Sequence, residues 1–143
     1  MTTLDKAKQE LKNNTLAIVC GESVGVYRDR GIKALLSVLS DTPDLLNGAT
    51  VADKIVGKAA ALLMVKGGVK EVYAEVMGEG AIEVFRKYRV PIAYGTIVAN
   101  IINRSGTGLC PMEITVQNIN EPDDAFRALT QAQSILTENA KIK

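Results

Sequence analysis

Two hydrophobic periods alternate along the first part of the chain, and each predicts its own kind of element. Apolar residues recur at helical spacing between Thr3 and Lys12, which predicts a short amphipathic helix. A continuous apolar run follows at 16–20, and after a Gly-Glu turn a second run covers 24–27. Two short apolar runs separated by a turn are typical of a β-hairpin.

The next segment predicts two helices. The apolar residues within 32–39 share one helical face, and Asp29 stands before them as a cap. Thr50 to Asp53 has the form of a capping box, with Asp in the position where Glu is usual. The small and aliphatic residues at 55–63 then predict a second helix, which ends at Gly67-Gly68.

The remainder alternates between strand and helix patterns. In order, it predicts a strand at 72–76, a helix at 81–88, a strand at 90–94, a helical turn at 97–102, a strand at 112–116 and a helix from Pro122 with Phe126, Leu129, Ala132 and Leu136 inward. Strand-helix-strand units need parallel pairs, whereas a hairpin is antiparallel. We therefore predict a single domain over residues 1–143, a three-layer α/β/α fold with a mixed sheet of about five strands.

The composition of the chain limits which partners and which cellular location we expect. The net charge is +1, aromatic residues make up 4% and tryptophan is absent, so nothing supports a nucleic-acid partner. The longest apolar stretch, 59–65, is too short to span a bilayer, and the first residues lack an apolar signal core. Cys20 and Cys110 form no disulfide framework. We expect a soluble, cytoplasmic protein that does not bind membranes.

One stretch, Asn103 to Glu113, combines an arginine, two glycines, a thiol and a carboxylate in a chain that has no histidine. Gly106 and Gly108 permit a left-handed backbone, in which successive amides form a concavity that binds anions. Arg104 can bind a phosphate or carboxylate with two hydrogen bonds. A tight turn leading into the predicted strand at 112–116 explains the same residues equally well, so both interpretations stay open.

Cys110, Asp53 and Lys58 are the candidates for catalysis. Cys110 can act as a nucleophile if a cation such as Arg104 activates its thiolate, although a free cysteine is more often a small buried apolar group. Asp53 and Lys58 can act as acid and base, although a carboxylate in a first helical turn also has a purely structural use. Lys54 lies one turn before Lys58 on the predicted helix, so the two charges favour an anionic ligand or are simply solvated.

Three segments carry a resemblance to a known family: Val51 to Ala61, Val72 to Glu75 and Ile102 to Glu113. In these segments the chain resembles the small prokaryotic proteins grouped as domain of unknown function 1893. The resemblance implies a fold like that of cytidine deaminases and implies no established activity. It also implies a homo-oligomer, since the deaminase fold commonly builds dimers or larger assemblies.

A deaminase zinc site needs a His or Cys ligand near a Glu on one helix and two cysteines at the start of the next. By the resemblance, the two cysteines would fall on Ala81 and Val84, which have no ligand atoms. The predicted helix at 53–58 begins without His or Cys. We therefore expect no metal, no other cofactor and no zinc-dependent deamination.

Three hypotheses for the function remain. The first is a zinc-less deaminase-like module that binds a small anionic or nucleotide-like ligand, through Lys54, Lys58, Asn103, Arg104, Gly106, Thr107, Gly108 and Glu113. The second is an enzyme of another chemistry that uses Cys110 or the Asp53 and Lys58 pair. The third is an assembly protein in which these residues form an interface between copies.

Overall fold

Five strands form one mixed sheet in the computed structural model, which describes residues 1–29 and 31–142 and, in the last helix, side chains up to residue 138. The strands are β1 (Leu16–Cys20), β2 (Ser23–Tyr27), β3 (Thr50–Val56), β4 (Glu71–Gly78) and β5 (Ile92–Val98), in the order β2-β1-β3-β4-β5. The helices are α1 (Thr3–Glu10), α2 (Lys33–Asp41), α3 (Lys58–Gly67), α4 (Glu79–Lys87), α5 (Pro111–Thr115) and α6 (Pro122–Ile142), and a 3₁₀ turn covers Pro43–Leu45.

The pairing of the strands positions the site. β1 and β2 form the predicted antiparallel hairpin, and β1 also pairs antiparallel with β3. β3, β4 and β5 are parallel, and α3 and α4 connect them. The carboxyl ends of these three strands, and the first turns of both helices, therefore lie at the same edge of the sheet.

Helices cover the sheet unequally on its two faces, which makes three layers. On one face Ala7 of α1 and its C-cap residue Leu11 pack against Ala17, Val19 and Ala52. On the other face the larger core brings α2, α3, α4 and α6 together, with its bulkiest buried side chains at Leu35, Leu62, Leu63, Phe85 and Leu129. The predicted three-layer α/β fold with a mixed five-stranded sheet is confirmed.

The predicted capping box at Thr50 to Asp53 is wrong, because these residues begin β3 and α3 starts only at Lys58. The strand pairs on both sides, with β1 and β4, so tertiary hydrogen bonds override the local helical signal. Val51 and Val56 both enter the larger core although they are five positions apart, a spacing that places side chains on opposite faces of a regular strand. The alternation of buried and exposed side chains thus shifts by one residue between them, and Ile55 is 54% exposed. As a result, the sequence of β3 does not show the two-residue period that would identify a strand.

The predicted strand at 112–116 is also wrong, because α5 occupies Pro111–Thr115. Met112 and Val116 are both buried and lie four residues apart, a spacing that fits a helical turn as well as a strand. The predicted helical turn at 97–102 is wrong at its start, since β5 extends to Val98. The count of five strands is right because β3 replaces the strand expected at 112–116.

Two smaller expectations also fail. Asp29 does not cap α2, whose N-cap residue is Ile32. The backbone carbonyl of Asp29 instead accepts a hydrogen bond from the Thr15 hydroxyl at 2.7 Å. Leu136 was expected to face inward with Phe126, Leu129 and Ala132, but it is 41% exposed because it lies on the part of α6 beyond the packed turns.

The glycine signal at the end of α3 is confirmed, and it yields a stability prediction. Gly68 has φ +82°, and its N–H donates to the carbonyls of Met64 and Val65. We expect Gly68→Ala to lower the free energy of unfolding by about 1 kcal/mol, because a side chain is strained in this conformation and its Cβ would lie 3.0 Å from Asn47 Oδ1. Urea unfolding measures the change.

The matched control for this substitution is Gly108→Ala. Gly108 has no positive φ and open space around its Cβ position, so we expect little change in stability. Equal effects of the two substitutions would contradict the role given to Gly68.

Candidate functional site

A cleft of about 160 Å³ opens at the carboxyl ends of β3, β4 and β5, where α3 and α4 begin. Ligands of open α/β sheets usually bind at this edge. The lining residues come from both helix starts, from the segment after β5 and from α5 and the turn after it: Lys58, Gly78, Gly80, Ala99, Asn100, Ile101, Leu109, Glu113 and Gln117.

Glycines bring the floor of the cleft together. A Cβ on Gly57 would lie 2.3 Å from Glu113 Oε1 and 2.7 Å from Ile101 Cγ1. A Cβ on Gly78 would lie 3.5 Å from Ile101 and 3.7 Å from the Cα atom of Gly57. The absence of a side chain at Gly57 is therefore what allows the segment after β5 to reach the start of α3.

The carboxylate of Glu113 caps α3 from another part of the chain. Its Oε1 accepts a hydrogen bond from the N–H of Lys58 at 2.9 Å, and its Oε2 accepts one from Ala59 at 2.8 Å. The N-cap residue of α3 is Gly57, which has no side chain to make these bonds. The negative charge also lies favourably at the positive end of the helix dipole.

The side chain of Lys58 makes a second contact, from the start of α3 to the end of α5. Its Nζ atom donates to the carbonyl of Val116 at 2.8 Å and to that of Gln117 at 3.2 Å, at the end of α5. A cation is favourable beside carbonyls at a helix end. We call this reciprocal pair of contacts, Glu113 on α3 and Lys58 on the end of α5, the Lys58–Glu113 clamp.

The start of α4 differs from that of α3. Its N-cap residue Gly78 supplies no side chain, and among the described residues no side chain accepts a hydrogen bond from the N–H groups of Glu79, Gly80 or Ala81. Gly78 and Gly80 line the cleft. One helix start at the cleft is thus capped by a carboxylate, and the other has N–H groups without a side-chain acceptor.

The Asn103 to Glu113 stretch contributes to the cleft mainly through its ends. Ile102 and Leu109 form an antiparallel bridge, and the loop between them is bonded to itself. Asn103 Oδ1 accepts from the N–H of Thr107 at 3.0 Å, and Asn103 Nδ2 donates to Thr107 Oγ1 at 3.1 Å. This loop includes Gly106 with φ +72°.

The exposed loop residues Arg104, Gly106, Thr107 and Gly108, and the half-buried Asn103, lie beside the cleft and are not part of its lining. Their contribution to ligand binding stays a prediction.

Asp53 and Lys58 are not joined as an acid and base pair. Asp53 is buried in β3, where it is paired with Leu16 and Ala74 of the adjacent strands, and it forms no ion pair within the described part of the chain. The ammonium of Lys58 is bound to the end of α5 instead. Lys54 lies in β3 outside the cleft lining, so the two lysines do not lie one helical turn apart as expected.

Burial raises the pKa of the Asp53 carboxyl to about 7, against the opposing effect of hydrogen bonds from the backbone N–H groups of Ile55 and Lys54. Cys110 is the residue before α5, is half-buried and packs against the larger core. This is the apolar environment of a structural cysteine.

The zinc positions implied by the resemblance fall in α4. Ala81 and Val84 are buried in the larger core and carry no ligand atoms. Among the side chains that the structure describes, no three of His, Cys, Asp or Glu cluster in a way that could hold a metal ion. The side chains at this edge of the sheet therefore do not fit a zinc site of the deaminase kind.

Sequence reasoning missed several residues of the site. Gly57 and Gly78 follow directly after strands, and a glycine between a strand and a helix is a signal of close backbone approach that could have identified both. Asn100 and Gln117 had no such signal, because their place in the cleft depends on the long-range contact of α5 with α3.

The clamp predicts a coupling between Gly57 and Glu113. We expect Glu113→Ala to lower the free energy of unfolding by about 1–2 kcal/mol, since two N–H groups of α3 lose their acceptor. Gly57→Ala should be destabilising in the wild type because its Cβ displaces the carboxylate. In the Glu113→Ala background, Gly57→Ala should lower the free energy of unfolding by at least about 1 kcal/mol less than it does in the wild type.

Urea unfolding of the four proteins in this double-mutant cycle measures the coupling. Glu83→Ala, at an exposed position of α4, is the control and should change stability by no more than about 0.5 kcal/mol. Strictly additive effects of Gly57→Ala and Glu113→Ala would rule out the clamp as the reason for the glycine.

Asp53 predicts a pH dependence of stability. Its folded pKa lies above 3.8, the ordinary pKa of an aspartate side chain, so between these pH values the folded state binds a proton that the unfolded state has lost. The free energy of unfolding should therefore fall as pH rises from about 4 to about 7, by at most about 1.4 kcal/mol per pH unit. Asp53→Asn should remove this dependence of the free energy of unfolding on pH. Urea unfolding of both proteins at about pH 5 and about pH 8 measures the difference. An equal change with pH in the wild type and the variant would contradict the role given to Asp53.

Comparisons with known proteins place the chain in a family. No curated protein matches it. A solved structure of a DUF1893 family protein from Thermotoga maritima matches with a TM-score of 0.82 and 24% identity, over 92% of this chain and 91% of the other. That likeness concerns the fold. No helix in the described residues is long and apolar enough to cross a membrane. Residues 6–132 match the family described as a domain of unknown function, DUF1893, and the chain belongs to that family.

Proposed function

We propose that this protein is a zinc-less deaminase-like module that binds a small anionic or nucleotide-like ligand in the cleft. The observation that carries the proposal is the uncapped start of α4 at a cleft that also contains the polar side chains of Lys58, Asn100 and Gln117. Backbone N–H groups at the start of a helix, together with the helix dipole, favour a negatively charged group.

The clamp determines where the anionic group would bind. Two helices begin at the cleft, and the carboxylate of Glu113 already occupies the start of α3. An anion placed there would have to displace Glu113 and overcome its charge. The start of α4 is therefore the site for the anion, and the ligand would meet the amides of Asn100 and Gln117 across the cleft.

Lys58 contributes one further donor. An ammonium has three N–H bonds, and two of those of Lys58 are directed to the carbonyls of Val116 and Gln117. The third is available to a ligand in the cleft. Glu113 has further lone pairs beyond the two that accept from α3, so it can accept a hydrogen bond from an N–H or O–H group of the ligand.

The size of the cleft limits what it can enclose. Pockets for drug-sized ligands measure roughly 300–1,000 Å³, whereas this cleft measures about 160 Å³. It would enclose one part of a ligand, such as a phosphate with a sugar, and the rest would extend over the neighbouring loop. Asn103, Arg104, Gly106, Thr107 and Gly108 lie on that loop and would contact the outer part.

A thermal-shift panel of nucleosides, nucleotides and phosphosugars tests the proposal. We expect phosphorylated compounds to raise the melting temperature and the matching neutral nucleosides to raise it less, because the anionic group occupies the start of α4. Absence of stabilisation by every compound at millimolar concentration would refute the proposal.

Variants of the cleft identify the site in the same assay. Asn100→Ala and Gln117→Ala should each weaken binding about tenfold, the effect of losing about 1.4 kcal/mol of hydrogen bonding. Gln131→Ala, at an exposed position of α6, is the control and should bind like the wild type. Binding that is unaffected by both cleft substitutions would place the ligand elsewhere.

A further inference from the structure

One long surface segment of this protein has almost no charge. Residues 90–112 contain a single charged side chain, Arg104, in a chain of which 23% is charged. Residues 90–111 are all described, and none of them is buried. Exposed segments normally carry many charges, because charged side chains interact favourably with water. This one has the composition of a covered surface.

The segment includes a strand at the edge of the sheet. Within the described residues, β5 pairs with β4 alone, so the backbone groups along its outer side have no strand partner. Edge strands are commonly protected by charged side chains or proline. β5 reads Ile-Ala-Tyr-Gly-Thr-Ile-Val and has neither.

Large apolar side chains accompany the open edge. Tyr94 is 42% exposed and Ile97 is 43% exposed, both on β5, and Ile102 beyond it is 53% exposed. An exposed, uncharged edge strand of seven residues is a ready template for pairing with another strand.

The opposite edge of the sheet is less suited to pairing. β2 is also uncharged, but it has only five residues, and charged residues stand directly before and after it, at Glu22 and Arg28. On β5 the neutral sequence continues from Val90 to Asn103. The two edges therefore differ in length and in the charge around them.

We propose that β5 pairs antiparallel with β5 of a second copy of this chain, across a two-fold axis, so that two five-stranded sheets join into one of ten strands. In a two-fold interface each surface meets its own copy, and a patch of one charge would repel itself. A neutral strand avoids this repulsion, while its outer backbone groups supply the hydrogen bonds. The pairing does not depend on the proposed ligand.

The solution mass tests the pairing. Size-exclusion chromatography with light-scattering detection should give the wild type a molar mass of twice the chain mass of 15.3 kDa. Thr96→Lys places a charge at an exposed position of β5 and should give the mass of one chain, with helix content unchanged by circular dichroism. Val26→Lys makes the same kind of change on the other edge strand and should remain a dimer.

Hydrogen exchange of the wild type provides a measurement that needs no variant. Amides of 92–98 should exchange at least about tenfold more slowly in concentrated than in dilute protein, while those of β2 should not change. A wild type with the mass of one chain, or a dimer that Val26→Lys disrupts and Thr96→Lys does not, would overturn the proposal. So would β5 amides whose exchange is independent of concentration.

Discussion

The carboxylate of Glu113 at the start of α3 is the contact on which the site depends. It lies 55 residues along the chain from Lys58, whose N–H group donates to it, and it joins the segment after β5 to the start of α3. Lys58 bonds the end of the same segment in return. Together these bonds hold one wall of the cleft, residues 99–117, against its floor.

This contact also sets the chemistry of the cleft. Two helix starts lie side by side and differ in their capping: the first N–H groups of α3 donate to the carboxylate of Glu113, whereas within the described residues those of α4 have no side-chain acceptor. If neither helix had a side-chain cap, an anion could bind equally well at the start of α3 or of α4. In the proposed function, the anionic group of the ligand would bind at the start of α4 and a hydrogen-bond donor of the ligand would meet Glu113, which would give the ligand one orientation.

Local patterns predicted the elements that local interactions form. The hairpin, the glycine end of α3, β4 and α4 were predicted because their turns and periods lie within a few residues of one another. β3 was missed because its side-chain alternation shifts between Val51 and Val56 and because Asp53 imitates a helix cap. α5 was missed because one helical turn is too short to distinguish its period from that of a strand.

The site was predictable only in part, for a related reason. Glu113 and Lys58 were identified as candidates from their charge, but their partners are backbone groups distant in sequence, and no spacing along the chain encodes such a contact. Gly57 has its role only because Glu113 reaches it. Asp53, in contrast, looked reactive and is a buried strand residue whose raised pKa comes from its position in the sheet.

The amide resonances of the two helix starts show directly which of them an anion binds. Titration of the protein with a nucleoside monophosphate, followed by two-dimensional NMR, reports on each N–H group separately. We predict that the resonances of Glu79, Gly80 and Ala81 shift while those of Lys58 and Ala59 remain in place, because Glu113 keeps the start of α3. Shifts at Lys58 and Ala59 with none at the start of α4 would contradict it.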